Sequence, residues 1–274
     1  MPEMSLLLPL VGFLLVIGAI AGVLAGLLGV GGGIVLVPAF FYAFSVLGYE
    51  GPFLMQMCLA TSLATIIVTS IRSVMSHNKK GAVDWGILRT WAPGIVVGAA
   101  IGVTIASSLE SGVLQLIFGI LALVIGCYML AGRDTWRLGE AMPKGPVVWA
   151  MSGSAGLLSV LMGIGGGSFG VPMMTLFGVP IHRAVATAAG FGVTIAVPSV
   201  IGFMFLDIPS DQTPPFSIGA VNVFAFVLIV STTIITAPYG AKLAHRMNPK
   251  PLKRAFGVFL VLVALNMLRE VLFG

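Results

Sequence analysis

The chain is predicted to be an all-α polytopic membrane protein, an inverted 5+5 repeat with two broken, re-entrant-like helical hairpins. Three observations predict this. Hydrophobic residues make up 58% of the sequence and charged residues 8%, with a mean hydropathy of +1.10. A soluble domain hydrates its surface with about 25% charged residues, so the solvent here must be mostly lipid. Next, one ten-residue phrase occurs twice, as Gly29-Val-Gly-Gly-Gly-Ile-Val-Leu-Val-Pro38 and as Gly163-Ile-Gly-Gly-Gly-Ser-Phe-Gly-Val-Pro172. Finally, lysines and arginines are scattered at the ends of apolar stretches, as they are where charge sets membrane topology.

The elements follow in order as ten apolar stretches, at 5–28, 33–48, 54–76, 85–107, 112–131, 146–164, 168–180, 184–206, 217–242 and 251–272. The first has no basic segment before it of the kind a cleaved signal peptide carries, so it is expected to remain in the mature chain. The second and seventh are too short for an upright crossing, which takes about 20 residues, and each directly follows a glycine cluster. The third carries Cys58, Thr61, Thr65, Thr69 and Arg72 at spacings of three or four, which places them on one helix face. The division expected is a first five-segment repeat at 1–132, a linker at 133–145 and a second, inverted five-segment repeat at 146–274.

Internal matches support that division. Ala60-Thr61 corresponds to Ala186-Thr187, Gly102 to Gly240, and Leu114 with Phe118-Gly119 to Leu252 with Phe256-Gly257. Five segments is an odd number, so the second copy must be inverted. Lys79 and Lys80, then Arg133, Arg137 and Lys144, then Lys242, Arg246, Lys250, Lys253 and Arg254 fall in loops that an alternating count puts on one face, read as cytoplasmic. Glu3, Glu50, Glu110, Asp207, Asp211 and Glu270 then face the other side. The Gly81-Ala-Val-Asp84 element after segment three has no clear copy in the second half, so the symmetry is expected to be imperfect there and the two gates need not be equivalent.

Glycine runs are poor helix formers and expose their peptide groups. In lipid, exposed backbone persists only where protein or a water-filled cavity covers it. Paired interruptions at matching positions in two halves point to a transporter's binding site. Gly31–Gly33 is expected at the tip of a hairpin entering from outside, and Gly165–Gly167 at the tip of one entering from the cytoplasm. Helices that open at Ile34 and Ser168 would turn their N–H groups and positive dipole ends toward one anion. The substrate-binding residues expected are Gly31, Gly32, Gly33, Thr61, Ser62, Gly165, Gly166, Gly167, Ser168, Thr187 and Arg72. For Arg72 two readings stand, charge compensation at the site or snorkelling to the cytoplasmic surface. Thr65 and Thr69 are expected to bond back to their own helix. His77, His182 and His245 are widely spaced, with neither zinc-ligand nor relay spacing.

Several classes are excluded or disfavoured. The net charge of +5 and pI near 9.5 do not form a nucleic-acid patch, because the cations are scattered. Cys58 and Cys127 lie inside apolar segments, so no disulfide framework or metal site is expected. No P-loop is present to use ATP, and no nucleophile with a base marks an embedded enzyme. No cofactor is expected. The expected partners are a small anion, a coupling ion (proton or sodium) and the bilayer.

The repeated G-[VI]-GGG-x4-P phrase, Ala60-Thr61-Ser62 with Ala186-Thr187, His77-Asn-Lys-Lys-Gly-Ala-Val-Asp84 and Gly240-Ala-Lys-Leu-Ala-His-Arg246 with Leu252-Lys-Arg-Ala-Phe-Gly257 together resemble the sulfite exporter TauE/SafE family of membrane permeases. The resemblance runs from about 20 to 270. It implies a secondary carrier for sulfite, sulfonates or other organosulfur anions, in a bacterial cytoplasmic membrane. Alternating access is the expected mechanism, with a passive anion channel or, further off, a membrane-embedded enzyme as alternatives.

Overall fold

The computed structural model describes residues 4–131, 137–246 and 249–273. The expected linker boundary and Arg133 fall outside them. Among the described residues ten helices follow one another: α1 (Met4–Leu28), α2 (Gly33–Val46), α3 (Leu54–Asn78), α4 (Trp85–Ser108), α5 (Ser111–Ala131), α6 (Pro146–Leu161), α7 (Gly167–Leu176), α8 (Ile181–Met204), α9 (Val223–Ala244) and α10 (Pro249–Phe273). A two-residue ribbon, β1 (Ser217–Ile218) with β2 (Val221–Asn222), precedes α9. Seven helices are long and apolar enough to span a membrane, whereas α2 and α6 are shorter apolar helices and α7 has only 10 residues. The ninth apolar stretch starts its helix at Val223 rather than 217, because Gly219 turns the chain at φ +54° and Asn222 caps α9 through its side chain.

Burial shows which helices are central. The most apolar window of α3 is 83% buried and that of α8 72%, against 28–44% for the other five long helices. The α3–α8 pair is therefore the core, and the other five long helices surround it. Every principal helix contact has a counterpart: α1 packs on α9 as α6 packs on α4, α3 touches α9 as α8 touches α4, and α2 lies on α3 as α7 lies on α8. The α3–α8 and α5–α10 pairs each exchange into themselves.

Close packing comes from small residues, as is usual where lipid removes the hydrophobic drive between helices. Gly18, Gly22 and Gly26 follow one line of α1, where added methyl groups would strike Thr232, Thr236 and the Ala237 carbonyl of α9. Gly94, Gly98 and Gly102 do the same on α4 against Ser152, Gly153 and Val160 of α6.

Polar contacts show which helix ends lie together. Ser111 N–H donates to the Pro52 carbonyl, Met55 N–H to Ser111 Oγ and the Gln56 side chain to the Leu109 carbonyl. That end carries Glu50 and Glu110, and Gln212 beside Asp211 approaches Gly51 there. At the opposite end Arg183 reaches Asp84 at 3.2 Å, His245 meets His77, and Leu138 N–H donates to the Leu176 carbonyl. Lys79, Lys80 and Arg137 lie there. Arg183 starts α8 beside the end of α3, and the end of α8 lies by Gly219, close to where Asn222 meets Thr61 near the start of α3. The central helices thus run antiparallel. The α1–α2 hairpin comes from the acidic end and returns to it; the α6–α7 hairpin does so at the basic end.

Candidate functional site

The two glycine turns meet. Gly165 N–H donates to the Val30 carbonyl at 3.0 Å. Methyl groups built on Gly33 and Gly167 would fall on the carbonyl oxygens of Gly163 and Gly29 respectively. Residues 28–37 and 161–168 are buried throughout. Only glycine allows this approach, and Gly32 and Gly163 also need it for their left-handed backbone, φ +80° and +60°. The following helices open at Gly33 and Gly167, one residue earlier than expected. Their first N–H groups have no carbonyl in their own helix to bond, and neither helix has a capping side chain.

The meeting point is held between α3 and α8. From α3, Leu59 and Ile66 press on Gly163 and on Gly31 and Gly33, and Ser62 Oγ donates to the Gly163 carbonyl at 2.7 Å. From α8, Val185 abuts Gly29, and Ala188 and Phe191 abut Gly166. Phe191 is stacked in turn on Trp91 of α4, with ring centroids 5.4 Å apart. Ser168, in the first turn of α7, is 6% exposed and its Oγ has no hydrogen-bond partner among the described residues. Ser70, against Gly192, has a second such hydroxyl. A buried hydroxyl without a partner costs about 1–3 kcal/mol; Ser159 carries a third, and of the three only Ser168 lies in the first turn of the helix that follows a glycine tip.

Thr61 and Thr187 take equivalent positions, each fully buried. Thr61 Oγ1 accepts the Asn222 N–H at 3.0 Å, and Thr187 Oγ1 accepts the Asp84 N–H at 2.9 Å. Asn222 and Asp84 are the N-caps of α9 and α4, so Thr61 of α3 fixes the start of α9 and Thr187 of α8 fixes the start of α4. Neither hydroxyl proton is donated to a described residue. This corrects the expectation of a missing element: Gly219-Ala-Val-Asn222 matches Gly81-Ala-Val-Asp84, with φ of +54° and +63° at the two glycines. The copy is displaced in sequence by the longer 205–222 connection, and its cap is Asn instead of Asp.

The remaining candidates divide. Thr65 and Thr69 bond to carbonyls of their own helix, at 2.7 and 3.0 Å; Thr69 also lies 3.3 Å from the Gly31 carbonyl. Cys58 is buried. Arg72 is exposed on α3 and is not brought to the tips. A cluster was missed: His77, His182 and His245 converge, with His77 Nδ1 3.1 Å from His245 Nε2 and the His182 and His245 rings 6.0 Å apart. The one available signal was position, since each histidine sits at a helix end on the basic side.

Ten helices whose two interrupted hairpins meet tip to tip between a buried central pair have the build of a multi-pass membrane transporter. The family model described as "Sulfite exporter TauE/SafE" matches residues 14–267. The chain belongs to that family of membrane transporters. A "Probable membrane transporter protein" of Haemophilus influenzae is 31% identical over 255 residues, covering 92% of this chain and 96% of the relative. Proteins with the same description from Methanocaldococcus jannaschii and Bacillus subtilis are each 27% identical, covering 97% and 95% of this chain and 97% and 98% of the relatives. No solved structure matches the chain.

Proposed function

We propose that the protein is a secondary carrier that moves a small anion of the sulfite, sulfonate or other organosulfur class across the cytoplasmic membrane by alternating access. The observation that carries this reading is the direct contact of the two tips, with the unpartnered Ser168 hydroxyl at the N-terminus of α7. Two helix starts converge there, so their N–H groups and dipoles favour a negative charge. Gly31–Gly33, Gly166 and Gly167 supply backbone donors and Ser168 supplies a hydroxyl, while Ser62 holds the Gly163 carbonyl and Thr61 and Thr187 flank the tips toward opposite ends of α3 and α8. The tight tip-to-tip packing corresponds to a closed arrangement, and carriage requires the tips to part.

The exchangeable contact pattern and the antiparallel α3–α8 pair support an inverted 5+5 repeat. In that scheme the α1–α2 and α6–α7 hairpins rock against the opposite half, exposing the tips to each face in turn. The Thr61–Asn222 and Thr187–Asp84 contacts are the equivalent hinges of the two gates. The test is counterflow in proteoliposomes loaded with unlabelled sulfite. A carrier accumulates labelled sulfite transiently against its gradient. Simple equilibration without overshoot identifies a channel, and absence of flux with sulfite and with methanesulfonate removes the anion reading.

A further inference from the structure

Three histidines from both halves close on one another at the basic end, and the family assignment gives them no role. His77, near the end of α3, is 1% exposed. Its Nε2 lies 2.9 Å from the Gly26 carbonyl of α1, and its Nδ1 lies 3.1 Å from Nε2 of His245, which follows α9. A carbonyl only accepts, so His77 Nε2 carries a hydrogen. In the neutral pair, His77 Nδ1 is therefore the acceptor and His245 Nε2–H the donor. His182 of α8 stacks over His245, and Leu27, Ile181, Val185 and Ala244 close a cleft of about 10 Å³ around the three rings. That is about the space of one water molecule.

We propose that His77, His245 and His182 form a proton-binding site that joins the two halves, and that its occupancy decides whether the basic end is latched. A proton from solution adds to Nδ1 of His245, leaving its Nε2–H donated to His77. Transfer of that hydrogen across the 3.1 Å contact leaves His245 neutral and His77 cationic, with both of its N–H groups still donated. One proton is thus accepted without breaking the chain of hydrogen bonds. A second would turn two N–H groups toward each other.

The surroundings make the added charge consequential. Lys80 and His182 both act on His77 and on His245. Burial first, then Lys80 and His182, hold His245 below the usual imidazole range. Arg183 is engaged by Asp84, Lys242 lies over the Tyr239 ring, and the Gly26 contact brings a carbonyl from α1, so the facing groups among the described residues include no free carboxylate. Among the described residues no His, Cys, Asp or Glu group is arranged to hold a metal ion, and a proton is the ligand that fits. A cation here is disfavoured by burial first and then by Lys80 and His182, so uptake of the proton favours the arrangement in which the ends of α8 and α9 have left α3 and water reaches the rings. Protonation opens this end.

The test begins without substrate. The full chain, labelled with ¹⁵N in its imidazoles, is placed in lipid nanodiscs and titrated between about pH 8 and 5, where histidine changes charge. The proposal requires His77 and His245 to respond in one shared step, with the Nε2–H form of His77 at the alkaline end. His77→Gln, which keeps a donor for Gly26, and His245→Gln must each abolish that step. Independent titration of the three rings, unmoved by either substitution, overturns the proposal. The second arm rests on the anion-carrier reading and measures methanesulfonate influx, since that anion stays ionised throughout. One bound proton makes wild-type influx change by about tenfold per pH unit on its steep limb, and His245→Gln flattens the profile. An unchanged profile in that variant overturns the coupling. Should the wild type move neither methanesulfonate nor sulfite, the carrier reading fails, while the titration still decides the proton site.

Discussion

Gly167→Ala and Gly33→Ala measure the tip contact directly. A methyl group on Gly167 lands on the Gly29 carbonyl and 2.6 Å from the Val30 nitrogen; on Gly33 it lands on the Gly163 carbonyl and 2.9 Å from the Ile164 Cα. Backbone atoms cannot rotate aside as a flexible side chain would, so a hairpin must shift. Overpacking of this kind costs about 1–3 kcal/mol. Gly12→Ala is the control, because nothing lies within 4 Å of its added methyl and a helix interior gains about 0.5–1 kcal/mol from the change. The two tip variants should therefore fall about 1.5–4 kcal/mol below the control, which is roughly tenfold to a thousandfold in the folding equilibrium. Thermal unfolding of detergent-purified protein, followed by size-exclusion chromatography, reads this, and sulfite counterflow should fall in parallel. Equal melting and equal flux in all three variants would refute the tip-to-tip packing.

Thr61→Val strands the buried Asn222 N–H and should cost about 1–3 kcal/mol. Thr187→Val should cost less, because Asp84 is only part-buried and water replaces the lost acceptor; thermal melts that rank them in the reverse order contradict the hinge assignment. Arg72→Gln should leave sulfite flux within about twofold of wild type, since the loss of one charge-assisted bond would cost more than that. His245 is held below the ordinary imidazole value, so as pH falls through about 6.5 the unfolded chain takes up the proton first and the folded state loses stability. Melting temperature should drop across that window in wild type and drop less in His245→Gln. Cysteine labelling at Ser210 should report the membrane face opposite to Lys79, and labelling from the same face would overturn the orientation.

The glycine phrases were legible because backbone that must approach backbone leaves one residue type to choose from. Their duplication, the short helices after them and the Thr61–Thr187 match could all be read from the sequence alone. The face of α3 that meets the tips could not. Periodicity picked Cys58, Thr61, Thr65, Thr69 and Arg72, of which Thr69 reaches the Gly31 carbonyl; Ser62 was expected beside that stripe and meets Gly163, but Leu59 and Ile66, which press on the glycines, carried no signal. A helix buried on nearly all sides carries hydroxyls all round, so no apolar stripe marks its orientation. The counterpart of Asp84 was hidden by an altered connection and an Asn in its place, although Gly-Ala-Val followed by a capping side chain is present in both. The histidine cluster is built from helix ends far apart in sequence, and only the packing of α1, α3, α8 and α9 joins them.

An anion seated where the two hairpins meet is the central claim, and selenite, the selenium congener of sulfite, makes it visible. Crystals grown with selenite, measured at the selenium edge, should show an anomalous peak between Gly31–Gly33 and Gly165–Gly167, within hydrogen-bond reach of Ser168 Oγ. A protein that carries selenite in vesicles yet shows its peak elsewhere, with the glycine tips unchanged, would contradict the account.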